Sequence, residues 1–335
     1  IVLSGEGIQN KGNIYVDNIT FKNIVGPLIQ GGANITINNI LAEKCSNIYT
    51  YRGYEAYNAC FPVWNSITIL NSTFKDITVG IVNLNPTFYS SSSILNGDLV
   101  GALTNKGYVY VDGCYFIENN FRPDDYYSSS RVGLNAGNDG YVNNCSFIKN
   151  KGTLFVGNRV NNSVFESNDI CFVDAKLINN SYFFNNKNNA VSSSSSTYSS
   201  RGVASADEVY YSVFVGNKAA YGGALSDTKI IHYSVFLNNS ATYEGDDIFV
   251  YNGEVDYSSN WWGSNQKPDE NRVFVHIGTL TLDNWVIMSL DAVTNTHIVV
   301  ALNKLIDNDG NIVNFDKILP SRNVYLSSDY GVISP

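Results

Sequence analysis

The chain has 335 residues and a net charge of −9, and its charged residues amount to only 15%. Forty-six Asn, 51 Ser and Thr and 23 Tyr stand beside a single Met, so a helical protein is excluded, because the good helix formers are scarce. The acidic balance speaks against a nucleic-acid partner, while 44% hydrophobic and 13% aromatic residues are enough for a large core and exclude a disordered chain.

The sequence begins at Ile1 without a basic n-region, and no stretch approaches the roughly 18 apolar residues of a membrane span. An internal piece of a longer, non-inserted protein is expected. From there a pattern governs the chain. It can be aligned on Phe21, Phe74, Phe116, Phe147, Phe165, Phe183, Phe214 and Phe236. Five residues before each Phe stands a β-branched residue: Val16, Ile69, Val111, Val142, Val160, Ile178, Val209 or Ile231. Two before it stands Ile19 and then always a small residue: Ser72, Cys114, Cys145, Ser163, Ser181, Ser212 or Ser234. Three after it stand Ile24 and Ile77, then Asn119, Asn150, Asn168, Asn186, Asn217 and Asn239.

The β-branched residue, the small residue and the Phe face inward, as the period of 2 along a strand requires. The step of three between the first two demands a corner. Asn18, Asn71, Gly113, Asn144, Asn162 and Asn180 fill it, all types that tolerate left-handed backbone. Tyr211 and Tyr233 take that place in the last two copies and break the rule. Short strands and corners stacked like over like predict a right-handed, single-stranded parallel β-helix, an all-β solenoid. Phe stacks on Phe in such a rod, and Asn can run as a hydrogen-bonded ladder along its axis.

The interval from Phe147 to Phe165 and on to Phe183 is 18 each time, the basic coil. Phe116 to Phe147 and Phe183 to Phe214 are 31 apart, and a weaker coil at Ile37–Ala42 precedes Phe74 by 32. The extra residues fall at one corner of the coil, so they should emerge along one edge. About nine or ten coils at roughly 4.8 Å give a rod of about 45 Å. The five cysteines, Cys45, Cys60, Cys114, Cys145 and Cys171, lack zinc-site spacing. Cys114 and Cys145 occupy the small-residue column, where stacked free thiols are favoured over a disulfide.

Beyond Phe236, Asp256-Tyr-Ser-Ser-Asn-Trp-Trp-Gly263 reads as a cap for the open end of the stack. The β-helix is therefore assigned to residues 1–275 and a further β segment to 276–335. Asp307-Asn-Asp-Gly-Asn-Ile-Val313 lies between two strand-like runs and reads as a hairpin turn in preference to a calcium loop.

Here the residues resemble a family. Phe147-Ile-Lys-Asn150, Phe165-Glu-Ser-Asn168 and Phe214-Val-Gly-Asn217 with Gly222-Gly-Ala-Leu225 look like the repeats of polymorphic-membrane-protein-type β-helices. Asn260-Trp-Trp-Gly-Ser264 followed by Leu282-Asp-Asn-Trp-Val286 is similar to adhesin-like surface proteins of methanogenic archaea. In that family a β-helix precedes bacterial Ig-like domains, and His297–Leu302, Asp309–Val313 and Gly331–Pro335 look like the first strands of one. The resemblance implies an extracellular location at the cell surface or wall.

The strongest functional signal lies in three inserted segments, 46–58, 121–133 and 188–202, rich in Tyr and Ser and carrying four of the seven Arg. Tyr51, Arg52, Arg122, Asp124, Tyr126, Tyr127, Arg131, Tyr198 and Arg201 are the candidate ligand-binding residues. Tyr supplies contact area at low entropic cost, and Ser adapts its hydrogen bonds. The plainer reading of the same loops is as tolerated surface insertions, Ser-rich because they are flexible. An adhesin fragment is expected, binding a surface glycan or protein of another cell, as a monomeric piece without a cofactor or metal. The alternative is a polysaccharide lyase or glycoside hydrolase, for which Asp124/Asp125, Asp207/Glu208 and Asp246/Asp247 are the available acid pairs. Sequence neighbours on a strand point to opposite faces, so none of these pairs makes a dyad by itself. His232 falls in a corner region where a surface position is expected.

Overall fold

The computed structural model describes residues 2–3, 8–10, 12–25, 28–31, 34–46, 59–63, 66–78, 80–84, 108–121, 132–136, 139–188, 202–294 and 297–320. Among them there is no α-helix, and parallel strands stack into a β-helix. No helix among the described residues is long and apolar enough to cross a membrane.

The Phe column builds one wall. Ten short parallel strands succeed one another from Val2–Leu3 to Val235–Leu237, and all the three-residue ones but Leu41–Glu43 carry a Phe at the centre. Phe116, Phe147, Phe165, Phe183, Phe214 and Phe236 pair in unbroken register, their rings stacked 4.5 to 5.1 Å apart. Ala42 sits between Phe21 and Phe74 in the same column, which is why the second coil reads so weakly in the sequence. The β-branched residues line the next wall. Val111, Val142, Val160, Ile178, Val209 and Ile231 are all fully buried and in register. Burial of each such side chain contributes about 1.5–3 kcal/mol.

Between these walls the corner turns as its residue types dictate. Asn18, Asn71, Asn144, Asn162 and Asn180 all hold positive φ between 46° and 56°, and Gly113 holds 64°. The small residues just after the corner form a buried ladder of their own. The backbone N–H of Ser163 donates to Ser181 Oγ, that of Ser181 to Ser212 Oγ and that of Ser212 to Ser234 Oγ, at 3.1–3.2 Å. Cys145 Sγ accepts the Cys114 N–H in the same way at 3.4 Å, so a thiol here does the work of a hydroxyl. Cys45, Cys114, Cys145 and Cys171 are buried free thiols.

Each column stops on a different residue of the cap. Trp262 stacks on Phe236 at 4.9 Å and closes the Phe column. Asn260 Oδ1 accepts the Ser234 N–H and closes the Ser column. Asp247 Oδ1 accepts from Asn239 and closes the Asn column. Arg272 ties these ends together, its Nε 2.6 Å from Asp247 Oδ2 and its other nitrogens donating to the carbonyl oxygens of Trp262 and Phe236.

One wall runs on past the cap through Ile248–Asp256 and Val273–Thr281. The switch from parallel to antiparallel pairing falls between Thr281 and Trp285, a few residues beyond the 275/276 division expected from the pattern. Trp285–Thr294, His297–Ile306 and Ile312–Asn314 then form a three-stranded antiparallel sheet. Its Val286, Phe315 and Leu319 pack on Val213, Val235 and Trp261, along the outer face of the Phe wall. This explains the two exceptional corners. Tyr211 and Tyr233 keep positive φ, 48° and 56°, yet stack at 5.0 Å, and Tyr233 meets Phe315 at 6.1 Å. The strain of a bulky left-handed residue is accepted where the corner needs an apolar contact for the C-terminal sheet.

Candidate binding edge

The three inserted segments leave and rejoin the solenoid at equivalent points. Their described flanks are Ser46 and Ala59, Phe121 and Val132, and Asn188 and Gly202. Each departs just after the column that follows the Phe by three, and each returns to the wall of strands that includes Ala59–Val63, Val132–Asn135 and Ala204–Tyr210. One corner of the rod therefore carries all three. Tyr51, Arg52, Arg122, Asp124, Tyr126, Tyr127, Arg131, Tyr198 and Arg201 all lie outside the described residues, as does the Asp124/Asp125 pair.

Behind this corner runs the Asn ladder. Asn119, Asn150, Asn168, Asn186 and Asn217 are almost wholly buried, and each Nδ2 donates both to the Oδ1 of the next Asn and to a Phe carbonyl of the preceding coil. Each Oδ1 from Asn150 to Asn239 also accepts the backbone N–H of the Asn before it. The side chain satisfies backbone groups that a bend out of the coil would otherwise orphan. That makes the corner rigid where 121–133 and 188–202 depart, while at the departure of 46–58 the column holds the buried Cys45.

On the outside of the same corner the residue after each Asn forms a row. Lys187 pairs with Lys218 and Lys218 with Ser240, and both lysines are exposed. Three residues further along the Lys218 and Ser240 coils, Tyr221 and Tyr243 stack at 4.9 Å, with Tyr243 62% exposed. Sequence reasoning missed this row, although its signal is plain: Lys151, Asp169, Lys187 and Lys218 each stand four residues after a repeat Phe. Gly222, at φ 59°, makes the tight corner beside Tyr221, where a Cβ would collide with Leu225 O at 2.1 Å.

The described acid pairs are engaged elsewhere. Asp207 is exposed and bonded to Lys229 Nζ at 2.9 Å, while Glu208 lies beside Tyr210 on the adjoining position. Asp246 accepts the Ala241 N–H, and Asp247 is fully buried at the ladder's end. Burial pushes the Asp247 carboxyl up to about 6, against the opposing pull of Arg272 and Asn239. His232 is half-buried, its Nδ1 2.8 Å from Ser258 O and its Nε2 3.5 Å from Asp256. Asp307 accepts the N–H groups of Asp309 and Asn311, which lower its pKa and close a turn between two paired strands, as the hairpin reading expected. Among the described residues no three His, Cys, Asp or Glu side chains come together in a group suited to a metal ion.

No protein-family model matches the chain, and no curated protein matches it either.

Proposed function

We propose that this chain is an adhesive module of a cell surface. A parallel β-helix holds the segments 46–58, 121–133 and 188–202 at one corner, and they bind a glycan or a protein on another cell. The observation that carries this reading is the common point of departure. Three Tyr-, Ser- and Arg-rich segments share one corner, which a buried Asn ladder backs at the second and third and which exposed Lys187, Lys218 and Tyr243 continue. A rigid scaffold under adaptable loops lowers the entropic cost of association. The likeness of the Trp-Trp-Gly cap to archaeal adhesin-like proteins, and the surface location that this implies, agree with the reading.

The test is glycan-array and whole-cell binding by the 335-residue chain. Replacement of Tyr126, Tyr127 and Arg131 together by Ala should weaken attachment at least tenfold, since aromatic and Arg anchors dominate such interfaces. Undiminished binding by that triple variant would remove the reading. Sugar release from uronans or neutral glycans would overturn it in favour of an enzyme.

A further inference from the structure

The Val273–Thr281 strand ends the parallel stack. Among the described residues it pairs on one side only, with Ile248–Asp256 through eight register pairs. The C-terminal sheet leaves this edge alone, because it packs on Val213 and Val235 of the other wall. All residues from His276 to Thr281 are exposed, on both faces of the strand, with Ile277 at 52% and Leu280 at 41%. In earlier coils the wall buries its inward residues completely.

Native edges are normally blunted by Lys, Pro, inward charges or bulges. The run Val-Phe-Val-His-Ile-Gly-Thr-Leu-Thr has no Lys, Arg, Asp, Glu or Pro. What fits a row of outward N–H and C=O groups, repeated at strand spacing, is another extended backbone. The rings of Phe274 and His276 lie nearly parallel to those of Phe249 and Tyr251, at 8° and 14°. Their far faces therefore look past the last coil toward whatever joins it.

We propose that a second copy of this chain occupies the edge, the two Val273–Thr281 strands pairing antiparallel about a two-fold axis through Ile277. The strand is self-complementary in that register. Phe274 falls opposite Leu280, Val275 opposite Thr279, His276 opposite Gly278, and Ile277 opposite its own copy. An aromatic ring over a cross-strand glycine is a favourable pairing, and no like charges meet. Gly278 is held as glycine by its own chain, since a Cβ there would meet Gly253 O at 1.8 Å. The space opposite His276 is thus fixed. An isologous pairing also closes on itself and does not propagate. Elsewhere a chain of net charge −9 repels its copies, so the uncharged edge is where two of them can approach. This departs from the monomer expected on sequence grounds.

Sedimentation equilibrium of the 335-residue chain over a wide concentration range tests the pairing. A monomer–dimer equilibrium is expected. Ile277→Lys or Ile277→Glu alone should weaken the dimer tenfold or more, and a mixture of the two variants should restore it. Leu280→Lys, displaced from the axis, serves as a second disruptive variant should Ile277→Lys disturb the fold by circular dichroism. A monomer at every concentration, growth beyond the dimer, or a dimer indifferent to both Lys variants would overturn the proposal.

Discussion

The Asn ladder should carry far more stability than its exposed counterpart at the neighbouring corner. Asn186 is fully buried. Its Nδ2 donates to Phe165 O at 2.8 Å and to Asn217 Oδ1 at 3.0 Å, and its Oδ1 accepts from Asn168 N and Nδ2 at 3.1 and 2.8 Å. Asn186→Ala deletes four bonds, each worth about 1 kcal/mol net, and leaves the Asn168 N–H buried without that acceptor, a cost of about 1–3 kcal/mol. With partial relaxation the sum is about 4 kcal/mol. Asn180 sits six residues earlier at an exposed left-handed corner and makes one side-chain bond, to Asn162 Oδ1 at 2.7 Å. Asn180→Gly keeps the backbone permissive and should cost no more than about 0.5 kcal/mol. Urea denaturation followed by far-ultraviolet circular dichroism compares the two directly. A solenoid couples only neighbouring coils, so hydrogen exchange in the Asn186→Ala variant should rise first at Asn168 and Asn217. A loss under about 1 kcal/mol for Asn186→Ala, or equal losses for both variants, would refute the ladder argument.

Asp247 gives a pH signature. Its carboxyl is raised from 3.8 to about 6 in the folded chain, so the native state holds the proton more tightly than the unfolded one. That contribution is full below about pH 4 and is lost as pH rises through 6, a swing of about 3 kcal/mol. The denaturation midpoint of the wild type relative to Asp247→Asn should therefore fall between pH 4 and 7; a constant difference would contradict the assignment. Tyr233→Asn restores the usual corner residue but removes the contact with Phe315. Limited proteolysis should then cut within 285–320 sooner, while the strand content of the β-helix is unchanged. Burial raises the thiol of Cys45 and pushes those of Cys145 and Cys171 well above the ordinary range. Peptide mapping after alkylation at neutral pH should find all three unmodified in the native chain and modified in urea.

What was legible in the sequence was whatever recurred. From the Phe116 coil onward, Val160, Ser163, Phe165 and Asn168 meet the same environment as their counterparts, so the environment is written many times over. The C-terminal packing is written once. Tyr233 and Phe315 are 82 residues apart, and nothing local to either announces the other. Tyr211 and Tyr233 signalled it only as exceptions to the corner rule. The cap was half legible: Trp262 read as a lid, but Asp247 looked like one of an acid pair with Asp246. Its role follows only from where the Asn column stops, since Asn239 needs an acceptor and the next coil offers no Asn. The lysine row was legible and went unread, because Lys187 and Lys218 contribute nothing to the core pattern that organises the alignment.

The position of the insertions follows from the same physics. A coil can be interrupted cheaply where its backbone groups are satisfied without help from the residues that come next. At the corner after Asn119 or Asn186, the carboxamides supply the missing donors and acceptors from inside the rod. The chain can then leave for 13 residues and return with the register of the next strand intact. Loop closure adds little to that cost, since it grows only logarithmically with length. At the neighbouring corner Asn162 and Asn180 bond to one another in solvent, and the register is held just behind them by the buried hydroxyls of Ser181 and Ser212. The longest interruption, 85–107, falls at another corner, between Gly80–Leu84 and Val109–Asp112, so the ladder lets its own edge vary in sequence without confining variation to it.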